Sequence, residues 1–442
     1  MRNVEEAIEW IHSLLPFGIK PGLKRMEWML ARLGHPEREL KTIHIGGTNG
    51  KGSTVSYLRH MLEASSYKVG TFTSPYIECF EERISVNGEP IPGDDLLECA
   101  SKVKPLVEEL EKTELGSPTE FEVITTIGFL YFATVSKPDF VLVEVGLGGR
   151  LDSTNVIDPL LSIITSIGHD HMHILGDSLE DIAFEKAGII KYGKPVISGV
   201  SQPEAKQVLK EKAAEEKAAL KQLNEDFEQV LITRNAASQM FSFYSQRLSF
   251  DTCTIQMAGK HQRNNAALAL EAMITLGELG IIELDTDLVL KGLKNASWAG
   301  RFEVVNKEPV IILDGAHNEE GMSALAETLT SHYPDKHYKL VMAATKEKDM
   351  KKLLAPFETM DADFTFTTFD FFRAASEREL YEQALVPHKR MSISWSEAIK
   401  DAVGNINDNE IIIVSGSLYF VSDVRRWLKE SPALSPDLIE NK

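Results

Sequence analysis

Three cysteines in 442 residues (Cys79, Cys99 and Cys253) are too few and too scattered for a disulfide framework or a cysteine-built zinc site. They read as reduced thiols. No apolar run approaches the roughly 18 residues a membrane-spanning helix requires. The N-terminus MRNVEEAIEWIHSLLPFG is acidic early and lacks a long apolar core with a cleavage site, so it does not read as a signal peptide. Its residues Val4, Ile8, Ile11, Leu14 and Leu15 recur at helical spacing instead. Positive charge is also in deficit: 47 Lys+Arg face 66 Asp+Glu, for a net charge of −19. A field of that sign repels phosphate backbones and anionic lipid, which argues against nucleic-acid and membrane partners and for a cytoplasmic protein. Low-complexity tracts, short-period repeats and a Pro/Gly/Ser linker are absent. What is present is a hydrophobic fraction of 43% and a charged fraction of 26%, ordinary for a globular chain of about two or three domains.

Short β-branched runs alternate with helical patterns. Thr42–Gly47, Phe140–Gly146 and Leu160–Gly168 read as buried strands, and helices are expected from about Ser53 to Ala64 and over Phe121–Thr134. Such alternation predicts a parallel sheet covered on both faces, with ligands at the carboxyl ends of the strands. Glu204–Glu228, rich in Ala and charges of both signs, predicts a solvent-facing helix. Ala258–Leu279 contains another helix pattern. Past Trp298-Ala299-Gly300 the alternation restarts with Pro309–Asp314, Tyr338–Ala343, Phe364–Phe369, Met391–Trp395 and Glu410–Ser415. The expectation is an α/β chain in two domains: 1–297, of phosphate-loop nucleotide-binding type with a mostly parallel sheet, and 298–442, smaller and Rossmann-like.

The segment His44-Ile45-Gly46-Gly47-Thr48-Asn49-Gly50-Lys51-Gly52-Ser53-Thr54 lies between a strand and a helix. Glycines let successive N–H groups converge on an anion at a helix N-terminus. Lys51 adds a full charge for phosphates, and Ser53 or Thr54 is placed to cap the helix or approach a metal. The match to the usual phosphate loop is imperfect, with Ile45 in place of the first Gly and Gly52 inserted after Lys51. Glu144 ends an otherwise apolar strand, where a carboxylate is costly unless paired or metal-bound; a buried salt bridge and a Mg²⁺ ligand are the two readings. His169, Asp170, His171 and His173 follow another strand, without the further regular Cys or His spacing of a zinc site. Lys186 and Lys191, near Glu185, have the composition of surface ion pairs. His261–Asn265, Arg301 and the run Asp314-Gly315-Ala316-His317-Asn318 complete the candidates.

Taken in order, GTNGKGST, TSPY, VEVGLGGRLDSTN, GHDH, EKAGIIK, HQRNNA, GRFE, DGAHN and the late SGSLYF resemble the folylpolyglutamate synthase/dihydrofolate synthase family, a branch of the ATP-dependent Mur ligases. The inserted Gly52 belongs to that branch's pattern. Only residues 1–45 precede the loop, too few for the additional N-terminal domain of the murein ligases. Ala299 departs from the Pro that many members carry there. The resemblance implies an active site in a cleft between two domains. It assigns Gly47, Thr48, Asn49, Gly50, Lys51, Gly52 and Ser53 to the ATP phosphates, and Asn265, Arg301 and Asp314 to ATP. Ser74 and Glu144 would ligate one Mg²⁺ and His171 a second. Lys186 would carry a carbamate, and Arg83, His317 and Ser415 would lie near glutamate or the acyl phosphate.

The implied reaction activates a carboxylate with ATP as an acyl phosphate, which the amine of L-glutamate then attacks. The folate or dihydropteroate substrate is anionic, so Lys20, Lys24, Arg25 and Arg83 are candidates for a basic island, or else solvated surface charges. Gly18–Leu33 resembles the family's pterin-side region. Small molecules alone are expected as partners of a monomer. The rival readings are a phosphate-loop ATPase or kinase and a non-catalytic nucleotide-gated switch.

Overall fold

Strand β1 (Thr42–Gly46) is buried at every residue, because helices cover both faces of the sheet it centres. The computed structural model describes residues 1–15, 18 and 20–430; of the Gly18–Leu33 segment, Ile19 lies outside the described residues. The other strands of this sheet are β2 (Val69–Phe72), β3 (Ile84–Val86), β4 (Glu89–Pro90), β5 (Phe140–Glu144), β6 (Leu161–Ile164), β7 (Val196–Ser198) and β8 (Leu220–Gln222), in the order β4-β3-β2-β5-β1-β6-β7-β8. Pairing is parallel from β2 to β8; β3 and β4 add an antiparallel edge. Phe72, Val141 and Val143 pack one face against the helices Val4–His12, Lys24–Arg32, Gly93–Leu110 and Glu120–Tyr131. Val145, Ile164 and Val196 join the cluster of Leu179–Ala187 and Pro203–Glu215 on the other.

By contacts, the described residues divide into two compact units. The first comprises Met1–Ile232, Met240–Ile255 and Arg263–Ala296; the second comprises Thr233–Gln239, Gln256–Gln262 and the residues from Ser297 on. A three-stranded sheet is made by β9 (Phe227–Arg234), β10 (Gln239–Ser245) and β11 (Ser249–Ile255). The later sheet, β12 (Glu303–Lys307), β13 (Val310–Leu313), β14 (His337–Met342), β15 (Ala362–Phe366), β16 (Lys389–Met391) and β17 (Glu410–Ser415), runs β12-β13-β17-β14-β15-β16 and is parallel except for β12. The two-residue period of β17 sends Ile411 and Ile413 to one apolar cluster and Ile412 and Val414 to the other.

Several local expectations need correction. The helix expected over Glu204–Glu228 ends at Glu215; Lys217 turns at φ 51° and the chain enters β8 and β9. Exposed Val230 and Ile232 in β9 gave no clean alternation to read. The strand expected at Met391–Trp395 is Lys389–Met391, and Trp395 opens a helix capped by the Ser394 hydroxyl. The expected strand Leu160–Gly168 is paired only over Leu161–Ile164, because Thr165 and Ser166 hold the phosphate loop instead. Among the described residues no helix is long and apolar enough to cross a membrane.

Helix Thr286–Asn295 crosses Lys51–Ala64 at near-backbone contact. A Cβ on Gly292 would lie 2.4 Å from the His60 carbonyl oxygen and 2.6 Å from the Met61 Cα. Gly292→Ala should therefore force the helices apart and cost about 1–3 kcal/mol in urea unfolding. Gly277→Ala is the matched control, since its Cβ would meet nothing nearer than 3.4 Å. It should be neutral or stabilising by up to about 1 kcal/mol. Equal losses from both would contradict the close crossing.

Candidate active site

The first unit gathers its polar groups at the carboxyl edge of the parallel sheet. After β1, Gly47 (φ 141°) and Gly50 (φ 89°) turn the chain into the helix Lys51–Ala64. Neither position has room for a side chain: a Cβ on Gly47 would lie 2.0 Å from Thr165 Oγ1, and one on Gly50 2.4 Å from Asn265 Oδ1. The loop is pinned from β6. Thr48 N–H donates to the Ser166 carbonyl at 2.8 Å, Asn49 N–H to Ser166 Oγ at 2.9 Å, and the Thr165 hydroxyl to the Asn49 carbonyl at 2.6 Å. Gly168 N–H meets Thr48 Oγ1 at 3.0 Å. Gly52 and Ser53 lie in the helix's first turn, with Ser53 buried. The helix is capped by Gly50 without any side-chain bond, so the expected Ser53 or Thr54 cap is not formed. Thr54 Oγ1 instead donates to the Gly50 carbonyl. The Lys51 amine folds back onto the carbonyls of Gly47 and Thr48, at 3.0 and 3.2 Å.

Glu144, at the end of β5 and paired in register with Ile45, is buried. Its Oε2 accepts the Ser74 N–H at 3.2 Å, so these two candidates meet. His171 is exposed, with φ 52°, and its Nε2 is 4.0 Å from the Asp170 carboxylate. Arg83 is buried against the Glu120 carboxylate, between the rings of Phe80 and Phe121. Arg25 is neither a solvated charge nor a spare one, since its guanidinium pairs with buried Glu122 at 2.9 Å. Lys20 donates to the Ser117 carbonyl at 2.9 Å.

Lys186 is not a surface ion pair. It lies in the last turn of the helix Leu179–Ala187 and is 4% exposed, while the adjacent Glu185 takes Arg150. Among the described residues no carboxylate pairs with its amine. Burial, and then the charge of Lys51, lower its pKa to about 7, against the opposing pull of Asp170 and Asp152. Lys191, expected to be an ordinary ammonium, is also changed. It donates to the Asn155 carbonyl at 3.1 Å, and burial lowers its pKa.

In the second unit, Asp314 follows β13. It accepts N–H bonds from Phe302 at 2.8 Å and Ala316 at 2.9 Å, so it fixes the residue after Arg301. Burial raises its pKa, and the Arg301 charge opposes that rise. A Cβ on Gly315 would lie 2.7 Å from Arg301 Nη1, so a side chain there would crowd the guanidinium. His317 Nδ1 bonds the Gly315 carbonyl at 2.8 Å, and Ser415 Oγ donates to the Ala316 carbonyl at 3.3 Å. Arg301, Asp314, His317 and Ser415 thus form one group at the carboxyl edge of this sheet.

Sequence reading assigned nothing to Asp152, Thr154, Asn155, Thr165 or Ser166, which hold the loop and the Lys186 helix in place. The spacing Asp152-Ser153-Thr154 was a legible signal, because an Asp bonding the N–H two residues on is a common turn device.

A family model for the Mur ligase middle domain matches residues 45–273, and one for the Mur ligase glutamate ligase domain matches residues 300–418. The chain is 45% identical over 427 residues to the dihydrofolate synthase/folylpolyglutamate synthase of Bacillus subtilis, covering 96% of this chain and 99% of that one. It is 32% identical to the folylpolyglutamate synthase of Lacticaseibacillus casei, with 96% and 99% covered. The crystal structure of the Thermotoga maritima folylpolyglutamate synthase superposes with a TM-score of 0.85 at 32% identity, with 97% of each chain covered. The loop and the buried lysine thus stand in a chain that belongs to the dihydrofolate synthase/folylpolyglutamate synthase family of the Mur ligases.

Proposed function

We propose that this chain is an ATP-dependent ligase that adds L-glutamate to folates, and also to dihydropteroate, through an acyl phosphate. The observation that carries the reading is a glycine-shaped phosphate loop with a buried, unpaired lysine electrostatically coupled to its Lys51. The first domain, 1–297, would bind ATP, and the second, 298–442, would be the glutamate-ligase domain. The substrate carboxylate attacks the γ-phosphorus, the bond to the β-phosphate oxygen breaks, and ADP leaves. The glutamate amine, having lost its ammonium proton, attacks the acyl carbon; the nitrogen then gives up one N–H proton, and inorganic phosphate departs with the C–O bonding pair and takes up a proton.

The loop N–H groups between Gly47 and Ser53, apart from those of Thr48 and Asn49 that Ser166 already accepts, and the Lys51 ammonium would offset charge on the transferring phosphoryl group. Asn265, Arg301 and Asp314 are assigned to ATP, and Arg83, His317 and Ser415 to the substrate side. Among the described residues no group of three His, Cys, Asp or Glu side chains could hold a metal. The Glu144 carboxylate and Ser74 hydroxyl are nonetheless hard oxygen donors that suit Mg²⁺, an ion that keeps waters and phosphate oxygens in its shell. When bound, the ion supplies further charge neutralisation at the phosphates. His171 is assigned to a second Mg²⁺. Lys186, with a pKa of about 7, has the free amine needed to add CO₂. Its N–C bond forms, a C=O pair moves to oxygen, and the N–H proton leaves, giving a carbamate anion. The acidic surface supports small-molecule partners in a cytoplasmic setting, with neither nucleic acid nor membrane, and the chain is taken as a monomer.

The deciding assay is phosphate release with and without L-glutamate, run with dihydropteroate and with tetrahydrofolate. The ligase reading requires release that depends on both glutamate and a pteridine substrate. Phosphate release without glutamate would favour an ATPase, ADP formation without phosphate release a kinase, and ATP binding without turnover a switch. Lys51→Ala should lower glutamate-dependent release at least about 100-fold. Its thermal midpoint should hardly move, because the amine bonds only to loop carbonyls. Near-normal turnover in the folded variant would remove the phosphate-loop assignment. Lys186→Ala should be inactive and should regain part of its activity in acetate. Lys191→Ala, which loses a bond to Asn155, should show no acetate effect. Full turnover of Lys186→Ala without added carboxylate would defeat the carbamate.

A further inference from the structure

His44 stands in the middle of β1, two residues before the phosphate loop, and its ring is fully buried. Its Nε2 lies 2.9 Å from Thr154 Oγ1, whereas its Nδ1 is buried without any partner. The Thr154 hydroxyl donates its one proton to Asp152 Oδ1, so its lone pair must accept from His44 Nε2–H. That fixes the tautomer. A second proton on Nδ1 would have no acceptor, in keeping with a pKa lowered to about 3 by burial and by the Lys191 charge. An apolar side chain would fill this place without an orphaned nitrogen. It would not donate to Thr154.

Asp152 is the centre of the turn that follows β5. Its Oδ2 accepts the Leu147 N–H at 2.8 Å and its Oδ1 the Thr154 N–H at 3.0 Å. The same turn grips the end of the Lys186 helix. Arg150 N–H donates to the Glu185 carbonyl at 2.7 Å, and Asn155 Nδ2 to the carbonyls of Arg150 and Gly188, each at 3.0 Å. A Cβ on Gly149 would lie 3.0 Å from the Lys186 carbonyl oxygen, and one on Gly188 only 2.3 Å from Arg150 Cα. No slack separates turn from helix.

We propose that His44 is a positioning residue: its Nε2–H, through the Thr154 hydroxyl, holds Asp152 and with it the turn that sets Lys186 beside the phosphate loop. One strand then carries the loop at its end and steadies the lysine from its middle. This inference rests on the ligase reading for its effect on turnover, but not for the geometry.

The test uses the full chain and two readouts. Amide exchange in the ligand-free protein, read at Leu147 and Arg150, should quicken at least about tenfold in Thr154→Val and stay near wild type in Thr154→Ser. In the ligation assay, Thr154→Val and His44→Leu should each lower kcat about tenfold or more with little change in KM for ATP. His44→Gln, whose terminal amide nitrogen reaches the Nε2 position, should recover most of the loss, and His44→Asn should not. The double variant His44→Leu/Thr154→Val should fall no further than either single one. Should His44→Leu not fold, exchange at Leu147 and Arg150 in His44→Asn, expected to quicken, against His44→Gln, expected to stay near wild type, decides in its place. Unchanged exchange in Thr154→Val, unchanged kcat, or losses that multiply would overturn the proposal. A wild-type chain without glutamate-dependent turnover would overturn the ligase reading instead, and the exchange readout would still judge the relay.

Discussion

A lysine amine held out of water with no carboxylate paired to it is the constraint on which the first unit turns. Taking an ammonium from water without a partner is among the costliest steps in folding, and the group escapes by giving up its proton. Lys186 is held there by the helix Leu179–Ala187 at one end and by the turn after β5 on its flank. The charge of Lys51 adds to the pressure. Removing water around an amine and placing a second cation near it act in the same direction. The site therefore stores a nucleophilic nitrogen where a solvated lysine would offer almost none at neutral pH.

Such an arrangement needs backbone contacts that side chains would forbid. At Gly47, Gly50, Gly149 and Gly188 a single methyl carbon would stand 3.0 Å or less from a neighbouring atom. At Gly47 and Gly50 the dihedral is also in the range that L side chains rarely adopt. The glycines of the two motifs thus serve one purpose. They let the loop approach β6 and Asn265, and let the turn approach the lysine's helix. Short polar side chains satisfy backbone groups of these turns: Ser166 Oγ accepts the Asn49 N–H and the Thr165 hydroxyl donates to the Asn49 carbonyl in the loop, and Asp152 accepts the Thr154 N–H in the turn.

The fold class was legible because buried parallel strands announce themselves as apolar β-branched runs, and β1, β5 and β17 are of this kind. The small sheet β9–β11 was not, since β9 and β11 are largely exposed or half-exposed and their polar residues imitate loop and helix surface. Motif residues were legible where chemistry forces an unusual type into an unusual place, as with Glu144 at the end of an apolar strand. His44 is the same kind of signal, a polar ring inside a buried strand, but its meaning depends on Thr154, 110 positions away. Arg25 shows the limit from the other side. Nothing near it in sequence discloses that Glu122, 97 positions on, will take its charge.

Partner choice at that range also decides where positive charge remains for anionic ligands on an acidic protein. Arg25 is neutralised by Glu122, Arg83 by Glu120 and Arg150 by Glu185. Lys51 is different, because its amine is held only by two carbonyl oxygens, which orient an ammonium without cancelling it. Two lysines, Lys51 and Lys186, therefore contribute positive charge at the loop, against the carboxylates of Asp170 and Asp152. While Lys186 is protonated, the pair repel each other. As a neutral amine it is indifferent to Lys51, and as the proposed carbamate it attracts Lys51 and would compete with phosphate for it. A carbamate that served only to neutralise would weaken the loop's hold on its anion. The proposed anion is therefore best matched to a site that also holds a divalent cation, which supplies positive charge for both.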